Sequence, residues 1–390
     1  MDRKLDDGFS RAFGGVPQGY YAAPGRTEIG GNHTDHQRGR VLAAAVSLDT
    51  RAAVRANGTD VIRLLSEGWP MCQICLQDLS PQAAEEGTTG ALIRGVAARF
   101  FQLGCPVRGF DAYVTSTVLP GSGLSSSAAF EVLIGTIIND LFFEGRLSPV
   151  QIASVAQYAE NVYFGKPCGL MDQMASAVGG LVTIDFSDRE APLVRKVDFD
   201  FSTCGHALCI IDTGASHADL TGEYAAIPLE MGRICRHFGA EVLSQVPQEQ
   251  FYDAIPALRQ ACGDRAVLRA IHFYQEDQRV VRQVEALERG DFQAFLTLVE
   301  ESGRSSWELL QNVTVCGGVD RQEVALALAL CRRYLAGRGA CRVHGGGFAG
   351  TVQAFVPEDL LETFRTGIEA VLGAGACHVL SICPWGGRRC

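Results

Sequence analysis

Glycines and serines between Pro120 and Ala129 form a pattern that could bind phosphate. The segment reads Pro-Gly-Ser-Gly-Leu-Ser-Ser-Ser-Ala-Ala and joins a strand-like stretch, Phe110 to Leu119, to an apolar helical run, Ala128 to Phe143. The first N–H groups of a helix lack internal partners and lie at the positive end of its dipole, so they suit phosphate oxygens. Glycine allows close approach of the backbone, and the hydroxyls of Ser125 to Ser127 add donors or a magnesium ligand. The alternative is an ordinary turn with a serine N-cap.

A second polar block runs from Gly25 to His36 and reads Gly-Arg-Thr-Glu-Ile-Gly-Gly-Asn-His-Thr-Asp-His. Such a density of charged and amide side chains is costly to bury without a ligand. Asn32, His33 and Asp35 offer donors and acceptors at short range, which recognition of a polyhydroxylated molecule requires. The alternative is a solvated loop whose side chains bond their own backbone.

Two acids extend the candidate chemistry. Asp172 lies in the block Pro167 to Met174, and Glu160 lies at the edge of the apolar stripe of the preceding predicted helix. Together they permit an assignment in which Asp172 faces a substrate hydroxyl and Glu160 joins Ser127 in holding magnesium. Taken singly, Asp172 could cap the helix that it begins, and Glu160 could be a solvated surface residue.

Two further motifs match patterns of cofactor or metal binding but lack the neighbouring residues or elements that such sites require. Gly345 to Gly350 matches G-x-G-x-x-G, but a predicted strand, Thr351 to Val356, follows where a dinucleotide site requires a helix. The sequence contains no G-x-x-x-x-G-K-[ST] motif. Cys72 and Cys75 form a lone Cys-x-x-Cys pair without a second pair at metal-site spacing. We therefore expect no nicotinamide site, no P-loop and no zinc or redox centre.

The composition is that of a soluble globular protein. Its 390 residues are 47% hydrophobic, and a formal net charge of −10 without a cluster of basic residues argues against a nucleic-acid partner. The charged start, Met1 to Asp7, is unlike a signal peptide, and apolar runs such as Val324 to Leu330 are too short to cross a bilayer. We expect a cytoplasmic monomer without a membrane partner, whose fourteen cysteines are mostly reduced and buried.

The order of predicted elements indicates an α+β protein of two domains. Arg40 to Val46 and Arg51 to Ala56 are predicted as separate strands, and Asn57-Gly58 predicts a hairpin to the strand that follows. Ser148-Pro149 predicts the start of a helix. A second series of strands and helices begins near residue 200, which predicts domains at residues 1–200 and 201–390.

Three blocks in order, Gly25–Asp35, Pro120–Ala129 and Gly345–Gly350, resemble the three motifs of the galactokinase branch of the GHMP small-molecule kinases. The stretch Cys168 to Gln173 also resembles the catalytic segment of that branch. The resemblance covers nearly the whole chain. It implies a two-domain GHMP kinase fold, with an N-terminal domain like domain 2 of ribosomal protein S5 and a ferredoxin-like C-terminal domain. It also implies phosphorylation of the anomeric hydroxyl of D-galactose by ATP, with Mg²⁺ as cofactor.

The resemblance further implies a role for each matching residue. Asp172 would be the catalytic base, and Arg26 would stabilise negative charge at the reacting centre. Magnesium would be held by Ser127 and Glu160. The ATP phosphates would lie against Gly121, Ser122, Gly123, Leu124, Ser125, Ser126 and Ser127. The sugar would be held by Asn32, His33, Thr34, Asp35, Gly169 and Tyr224, with support from the Gly345–Gly347 turn of the second domain.

One departure from the branch affects the choice of sugar. Galactokinases commonly have Gly-Glu-His-Thr-Asp where this chain has Asn32 in place of the glutamate. Loss of a charge-assisted hydrogen bond costs on the order of 1 kcal/mol, and Glu28 could compensate for it. Two alternatives therefore stay open. One is a kinase of the same family for another sugar, such as N-acetylgalactosamine or arabinose, and the other is a non-catalytic sensor of sugar and ATP that binds a regulatory partner.

Overall fold

A computed structural model describes residues 3–118, 123–166, 168–188, 191–215 and 220–390. The chain divides into two compact units, and each unit is built from more than one segment of the sequence. Unit 1 comprises Met1–Arg26, Ala44–Gly180 and Cys383–Cys390, and unit 2 comprises Thr27–Ala43 and Leu181–Ile382. The predicted domains, residues 1–200 and 201–390, are each one continuous segment, whereas each compact unit combines separate segments. The domain division stays a prediction.

The described residues form twelve strands and eleven α-helices. The strands are β1 Gly19–Gly30, β2 Arg40–Ala56, β3 Val61–Ser66, β4 Cys72–Cys75, β5 Phe110–Ser116, β6 Leu181–Asp185, β7 Leu193–Lys196, β8 His206–Asp212, β9 Ala340–His344, β10 Thr351–Pro357, β11 Cys377–Leu380 and β12 Arg388–Arg389. The helices are α1 Arg3–Phe13, α2 Thr89–Gln102, α3 Ser126–Phe143, α4 Pro149–Ala159, α5 Met171–Val178, α6 Thr221–His237, α7 Gln248–Cys262, α8 Asp264–Glu288, α9 Phe292–Ser305, α10 Glu323–Leu335 and α11 Leu361–Leu372.

The sheet of unit 1 corrects two predictions about strands. Its order is β12-β1-β2-β5-β3-β4, so β5 lies between β2 and β3, and the hairpin predicted at Asn57-Gly58 is wrong. Asn57 instead donates from Nδ2 to the buried Asp111 carboxylate on β5, at 2.9 Å. The two strands predicted between residues 40 and 56 are one continuous strand, and only its second part, from Thr50 opposite Ser116 to Ala56, pairs with β5.

Helix α3 is apolar around most of its circumference, as expected of a helix buried on several sides. By length and composition it could cross a membrane, unlike the shorter apolar runs considered above, but 67% of it is buried inside the protein. Helix α4 begins where Ser148-Pro149 predicts. Ser148 accepts from the Gln151 N–H, and the Gln151 side chain accepts from the Ser148 N–H, which completes a capping box.

The segment Cys383–Cys390 returns to unit 1 and packs against helix α5 and strand β1. The Gly387 N–H donates to the Ser176 carbonyl at 3.1 Å, and the Cys390 N–H donates to the Tyr20 carbonyl at 2.8 Å. Gly386 must lack a side chain here, because a Cβ on it would lie 2.0 Å from the Ala177 carbonyl oxygen. Unit 1 therefore includes residues from both ends of the sequence.

Unit 2 contains a four-stranded antiparallel sheet of order β11-β8-β10-β9. Helices α10 and α11 share one hydrophobic core with these strands. Helices α6, α7 and α8 form a second core. Strands β9 and β10 are joined by the glycine turn that follows His344, so this sheet positions the Gly345–Gly350 motif.

Candidate active site

Arg26 and Asp172 form a bidentate ion pair in unit 1. Arg26 Nε lies 2.6 Å from Asp172 Oδ1, and Arg26 Nη2 lies 2.7 Å from Oδ2. The Arg26 and Asp172 side chains are 9% and 28% exposed, so the Asp172 side chain is not fully enclosed by protein. Arg26 comes from strand β1 and Asp172 from the first turn of helix α5. The structure thus joins the two residues that the sequence assigns to catalysis.

The charge on Asp172 depends on its partners. Burial alone would raise the pKa of this carboxyl, but the Arg26 charge and hydrogen bonds from Arg26 and Ser125 outweigh burial and hold the pKa below its usual range. The helix-cap alternative is wrong for this aspartate, because the cap residue of α5 is Leu170 and the Asp172 oxygens are bound by Arg26 and Ser125. Asp172 is therefore an ionised carboxylate held in a fixed orientation.

The serine-rich loop contacts this pair directly. Ser125 Oγ donates to Asp172 Oδ2 at 2.6 Å, and Arg26 Nη1 donates to the Gly123 carbonyl. A Cβ on Gly25 would lie 3.0 Å from the Leu124 carbonyl oxygen, so a side chain there would displace the loop backbone by a few tenths of an ångström. Ser125 has φ 57°, in the left-handed region that non-glycine residues seldom adopt. Such strain persists only where surrounding contacts hold it, and here the hydroxyl contact with Asp172 is one of them.

The predicted phosphate residues are only partly described. Gly121 and Ser122 lie outside the described residues. Leu124 has a fully buried side chain, so only its backbone can face a ligand. Ser126 begins helix α3, whose first N–H groups have no helical partner, and it also lines a cavity of about 910 Å³ between strands β3 and β4 and the starts of α2 and α3. Trp69, which is 70% exposed, lies on the same cavity wall.

Glu160 and Ser127 form a second polar pair of unit 1. Ser127 Oγ donates to Glu160 Oε1 at 3.1 Å, and Glu160 is 2% exposed in the π-helical turn Glu160–Phe164 that follows α4. The interpretation of Glu160 as a solvated surface residue is therefore wrong. Lys166 Nζ also binds Glu160 Oε1, at 3.0 Å, and Gln173 Nε2 donates to Oε2 at 2.7 Å. The carboxylate is thus held on both oxygens.

The polar block Gly25–His36 is neither solvated nor entirely a loop. Strand β1 extends to Gly30, and Thr27, Glu28, Asn32 and Thr34 are buried, each at most 4% exposed. The solvated-loop alternative is therefore wrong. The buried groups Thr27, Glu28, Asn32 and Thr34 are paired inside unit 2, which the sequence pattern alone does not reveal.

Asn32 uses its amide for contacts within unit 2. Its Nδ2 donates to Glu28 Oε1 at 3.1 Å and to the Gly345 carbonyl at 2.7 Å. Its Oδ1 accepts from Asn312 Nδ2 at 2.9 Å and from Ser306 Oγ at 3.2 Å. With 0% exposure, this amide has all four of its ordinary hydrogen-bond positions occupied. A contact between Asn32 and the sugar stays a prediction. It would require a bond to the sugar to replace one of these four hydrogen bonds.

The neighbours of Asn32 have different surroundings. His33 Nε2 lies 3.0 Å from the Gly346 carbonyl oxygen, and its backbone has φ 58°. Thr34 Oγ1 donates to the carbonyls of Gly31 and Arg40 at 2.8 and 2.6 Å, so it holds the local backbone. Asp35 is half-buried at the start of a 3-10 turn.

The glycine turn after β9 is held by several of the predicted sugar residues. Tyr224 Oη donates to the Gly347 carbonyl at 2.7 Å, and burial raises the pKa of this phenol to about 12. A Cβ on Gly346 would lie 2.7 Å from the Tyr224 ring, so this position requires glycine. The turn is a structural support for the Asn32 segment. Gly169, by contrast, belongs to unit 1 and is exposed just before α5.

Several residues at these sites escaped the sequence analysis. Glu276 on α8 accepts the backbone N–H groups of Gly31 and Asn32 at 3.1 and 3.4 Å. Although burial raises its pKa, nearby cations, Arg279 foremost, lower the pKa of Glu276 to about 2. In unit 1 the residues without an assigned role were Glu131, Lys166 and Gln173. Glu131 gave a signal as a lone acid within an apolar run, and Gln173 lies in the stretch Cys168 to Gln173 that the resemblance covers.

Within the described ranges, no group of three or more histidine, cysteine, aspartate or glutamate side chains is arranged to hold a metal. Ser127 and Glu160 remain compatible with Mg²⁺, which typically takes one or two carboxylates and completes its shell with water and phosphate oxygens.

Comparison with known proteins adds independent observations. Residues 91–180 match the family model of the GHMP kinases N terminal domain, and residues 7–56 match the galactokinase galactose-binding signature. The galactokinase of Streptomyces coelicolor is 33% identical over 390 residues, covering 98% of this chain and 96% of that protein. The galactokinase of Glaesserella parasuis is 31% identical and covers 92% of this chain and 90% of its own length.

Solved structures agree at the level of the fold. A crystal structure of Lactococcus lactis galactokinase complexed with galactose matches 99% of this chain and 98% of its own, with a TM-score of 0.82 and 24% identity. A mevalonate kinase structure matches 93% of this chain with a TM-score of 0.66. The predicted α+β GHMP kinase fold is therefore confirmed.

Proposed function

Because the chain belongs to the galactokinase family of GHMP kinases, we propose that it transfers the γ-phosphoryl group of ATP to the anomeric hydroxyl of D-galactose, giving galactose 1-phosphate and ADP. The observation that supports this chemistry most directly is the bidentate Arg26–Asp172 pair with Ser125 bound to the same carboxylate. Phosphoryl transfer depends chiefly on positioning and charge neutralisation, and this arrangement supplies both.

In the proposed reaction Asp172 is the catalytic base. It accepts the proton of the C1 hydroxyl while that oxygen bonds to the γ-phosphorus, and the bond from the γ-phosphorus to the β,γ-bridging oxygen breaks to release ADP. Arg26 keeps the carboxylate ionised before the proton arrives and offsets negative charge on the transferred group. The low pKa of Asp172 makes it a ready but weak base, so correct placement of the hydroxyl is as important as basicity.

The nucleotide is proposed to lie along the start of helix α3. Gly123, Leu124, Ser125, Ser126 and Ser127 are the described part of the loop that would receive its phosphates, Leu124 through its backbone, together with the first N–H groups of the helix. The adjoining cavity of about 910 Å³ is large enough for a nucleoside, and the side chains of Leu64, Ile74 and Phe130 give it apolar walls. Gly121 and Ser122 belong to the same proposal on the resemblance alone.

Magnesium is proposed to bind Ser127 and Glu160. A hydroxyl oxygen and a carboxylate oxygen 3.1 Å apart are the hard ligands that this ion prefers, so the residues fit it. When bound, the ion would neutralise phosphate charge. Lys166 holds Glu160 Oε1 at 3.0 Å and so supplies positive charge at the same oxygen.

The sugar is proposed to be recognised by His33, Asp35, Gly169 and Tyr224. Asn32 and Thr34 would contribute chiefly by fixing the backbone, because both are fully buried and bonded within unit 2. We also propose a cytoplasmic monomer without nucleic-acid or membrane partners. All fourteen cysteines are free thiols, which supports a reducing compartment.

An assay of ADP release coupled to galactose tests this function. We expect turnover that requires Mg²⁺, yields galactose 1-phosphate, and shows a higher kcat/KM for galactose than for N-acetylgalactosamine or arabinose. A different sugar ranking first would make the chain a kinase for that sugar. Binding of galactose and ATP without any ADP release would instead favour the non-catalytic sensor.

A further inference from the structure

Gln173 joins two buried acids of unit 1. Its Nε2 donates to Glu131 Oε2 at 3.2 Å and to Glu160 Oε2 at 2.7 Å. Glu131 and Gln173 are 0% exposed and Glu160 is 2% exposed, so water does not complete this arrangement from the surface. One amide group therefore fixes the orientation of Glu160 and is itself held by Glu131.

Two oxygen atoms in this cluster lack a hydrogen-bond partner, Glu131 Oε1 and Gln173 Oε1. An amide oxygen and both oxygens of an ionised carboxylate only accept hydrogen bonds, so neither atom can satisfy the other while Glu131 is charged. Buried polar atoms are rarely left unpaired, because each costs about 1–3 kcal/mol. The cluster thus lacks one donor.

A protonated Glu131 supplies that donor. A carboxylic acid and a primary amide can form two antiparallel hydrogen bonds, one from the amide N–H to the carbonyl oxygen of the acid and one from the acid O–H to the amide oxygen. Gln173 Nε2 already makes the first bond with Glu131 Oε2. The second bond would join the two atoms that otherwise have no partner.

We propose, resting on the function proposed above, that Glu131 is a protonated carboxylic acid and acts as a positioning residue that, through Gln173, orients Glu160 toward Ser127 and the magnesium ion. The acid pair fixes which end of the Gln173 amide faces Glu160. If the amide were reversed, its oxygen would face the Glu160 carboxylate and repel it. Glu160 Oε1 is then left to Ser127 and Lys166.

The surroundings of Glu131 favour its neutral form. Burial raises the pKa of Glu131 well above its usual range, and the charge of Glu160 on the π-helical turn adds to this, as does that of Asp172 on α5. The Gln173 hydrogen bond and the Lys166 charge act in the opposite direction and are outweighed. A neutral acid also avoids placing another negative charge beside the proposed phosphate site.

Two substitutions at Glu131 distinguish the protonated acid from a charged one. Glu131→Gln replaces the acid O–H by an amide N–H and preserves both bonds to Gln173, so we expect kcat and the Mg²⁺ concentration for half-maximal rate to stay near the wild-type values. Glu131→Leu removes both bonds, and we expect loss of about 10- to 100-fold in activity or Mg²⁺ affinity. Glu131→Asp, which shortens the acid by one methylene, replaces Glu131→Leu if the latter does not fold. Thr136→Val, on the same helix and also buried, is the control for disturbing α3.

Infrared difference spectra of wild type and Glu131→Gln give a readout that does not depend on turnover. We expect a protonated carboxyl C=O band at neutral pH in the wild type that the variant lacks. Glu131→Gln losing as much activity as Glu131→Leu, or absence of that band, would overturn the proposal. A wild-type protein that shows the band but does not phosphorylate galactose would instead remove the proposed function and with it the magnesium role.

Discussion

Ser125 donates a hydrogen bond to Asp172 across 2.6 Å from a backbone held at φ 57°. The residue therefore combines a functional hydroxyl with a strained conformation, and substitution can separate the two. Ser125→Ala removes the hydroxyl and keeps the strain, whereas Ser125→Gly removes both. We expect equal losses of kcat but a free energy of unfolding about 1 kcal/mol higher for the glycine variant. Urea unfolding and steady-state kinetics measure both quantities, and equal stability of the two variants would contradict the strain.

Asp172→Asn tests the base. The amide is nearly isosteric but cannot accept the sugar proton, so we expect kcat to fall by about a hundredfold or more while galactose and ATP still bind. Calorimetry measures binding and ADP release measures turnover. Asp60→Asn is the matched control, because this aspartate is half-exposed in an ion pair with Arg108 in the same unit. A variant that keeps more than about a tenth of the wild-type rate would remove Asp172 from the role of base.

Arg26→Gln should change the pH dependence of stability. The folded pKa of Asp172 lies below its ordinary value, so its ion pair stabilises the fold above the unfolded pKa of about 3.9 and this contribution is lost as pH falls through the folded pKa. Without Arg26, burial remains and raises that pKa. We expect a loss of about 3 kcal/mol in the free energy of unfolding at neutral pH, shrinking in acid.

Urea unfolding over a series of pH values measures this difference. The double variant Arg26→Gln with Asp172→Asn should lose the pH dependence that the single variant gains, because no carboxyl remains to titrate at that position. A stability difference that is the same at acid and neutral pH would show that Arg26 acts by packing instead of charge.

Lys166→Met should lower the requirement for magnesium. Lys166 Nζ lies 3.0 Å from Glu160 Oε1, the oxygen that Ser127 also contacts, so it competes with a cation there. Its side chain is 60% exposed, which limits the interaction to about 1 kcal/mol or less, so the Mg²⁺ concentration for half-maximal rate should fall by up to about fivefold. Lys196→Met, on exposed strand β7, is the control. A higher requirement would mean that Lys166 assists the ion or the phosphates.

Asn32→Asp tests whether the Asn32 amide stabilises unit 2 or contacts the sugar. The substitution replaces the Nδ2 donor by an acceptor facing Glu28 Oε1 and the Gly345 carbonyl. We expect the free energy of unfolding to drop by about 2 kcal/mol because these groups lose their donor. Thermal or urea unfolding without sugar measures the effect. Unchanged stability with a raised KM for galactose alone would instead place the Asn32 side chain against the sugar.

The elements that the sequence predicted well carry strong local signals. Helix α5 ends at Val178, where Gly179 and Gly180 follow in the sequence and mark a stop. The start of α4 was predictable because Ser148 is a typical N-cap residue and Pro149 is favoured at the first helical position. Helices α6 and α7 were missed, and each contains an internal proline, Pro228 or Pro256, which interrupts the helical pattern.

The candidate site was predictable as a set of residues but not as a set of contacts. Glycine and acid motifs identified Arg26, Ser127, Glu160 and Asp172, and their pairing follows from tertiary structure that motifs do not specify. The burial of Asn32 could not be predicted, because its partners Ser306 and Asn312 lie far away in sequence. A polar strand paired inside a fold resembles a solvated loop when only its composition is known.

The return of Cys383–Cys390 to unit 1 has a consequence for biosynthesis. Helix α5, which carries Asp172, is contacted by Gly387 at the end of the chain, while Leu181–Ile382 builds unit 2. At translation rates of about 5–20 residues per second, the ribosome needs on the order of ten to forty seconds to make that intervening stretch. A nascent chain must therefore leave the part of α5 that Gly387 contacts uncovered for that time, because Cys383–Cys390 can pack there only after residues 181–382 have been made.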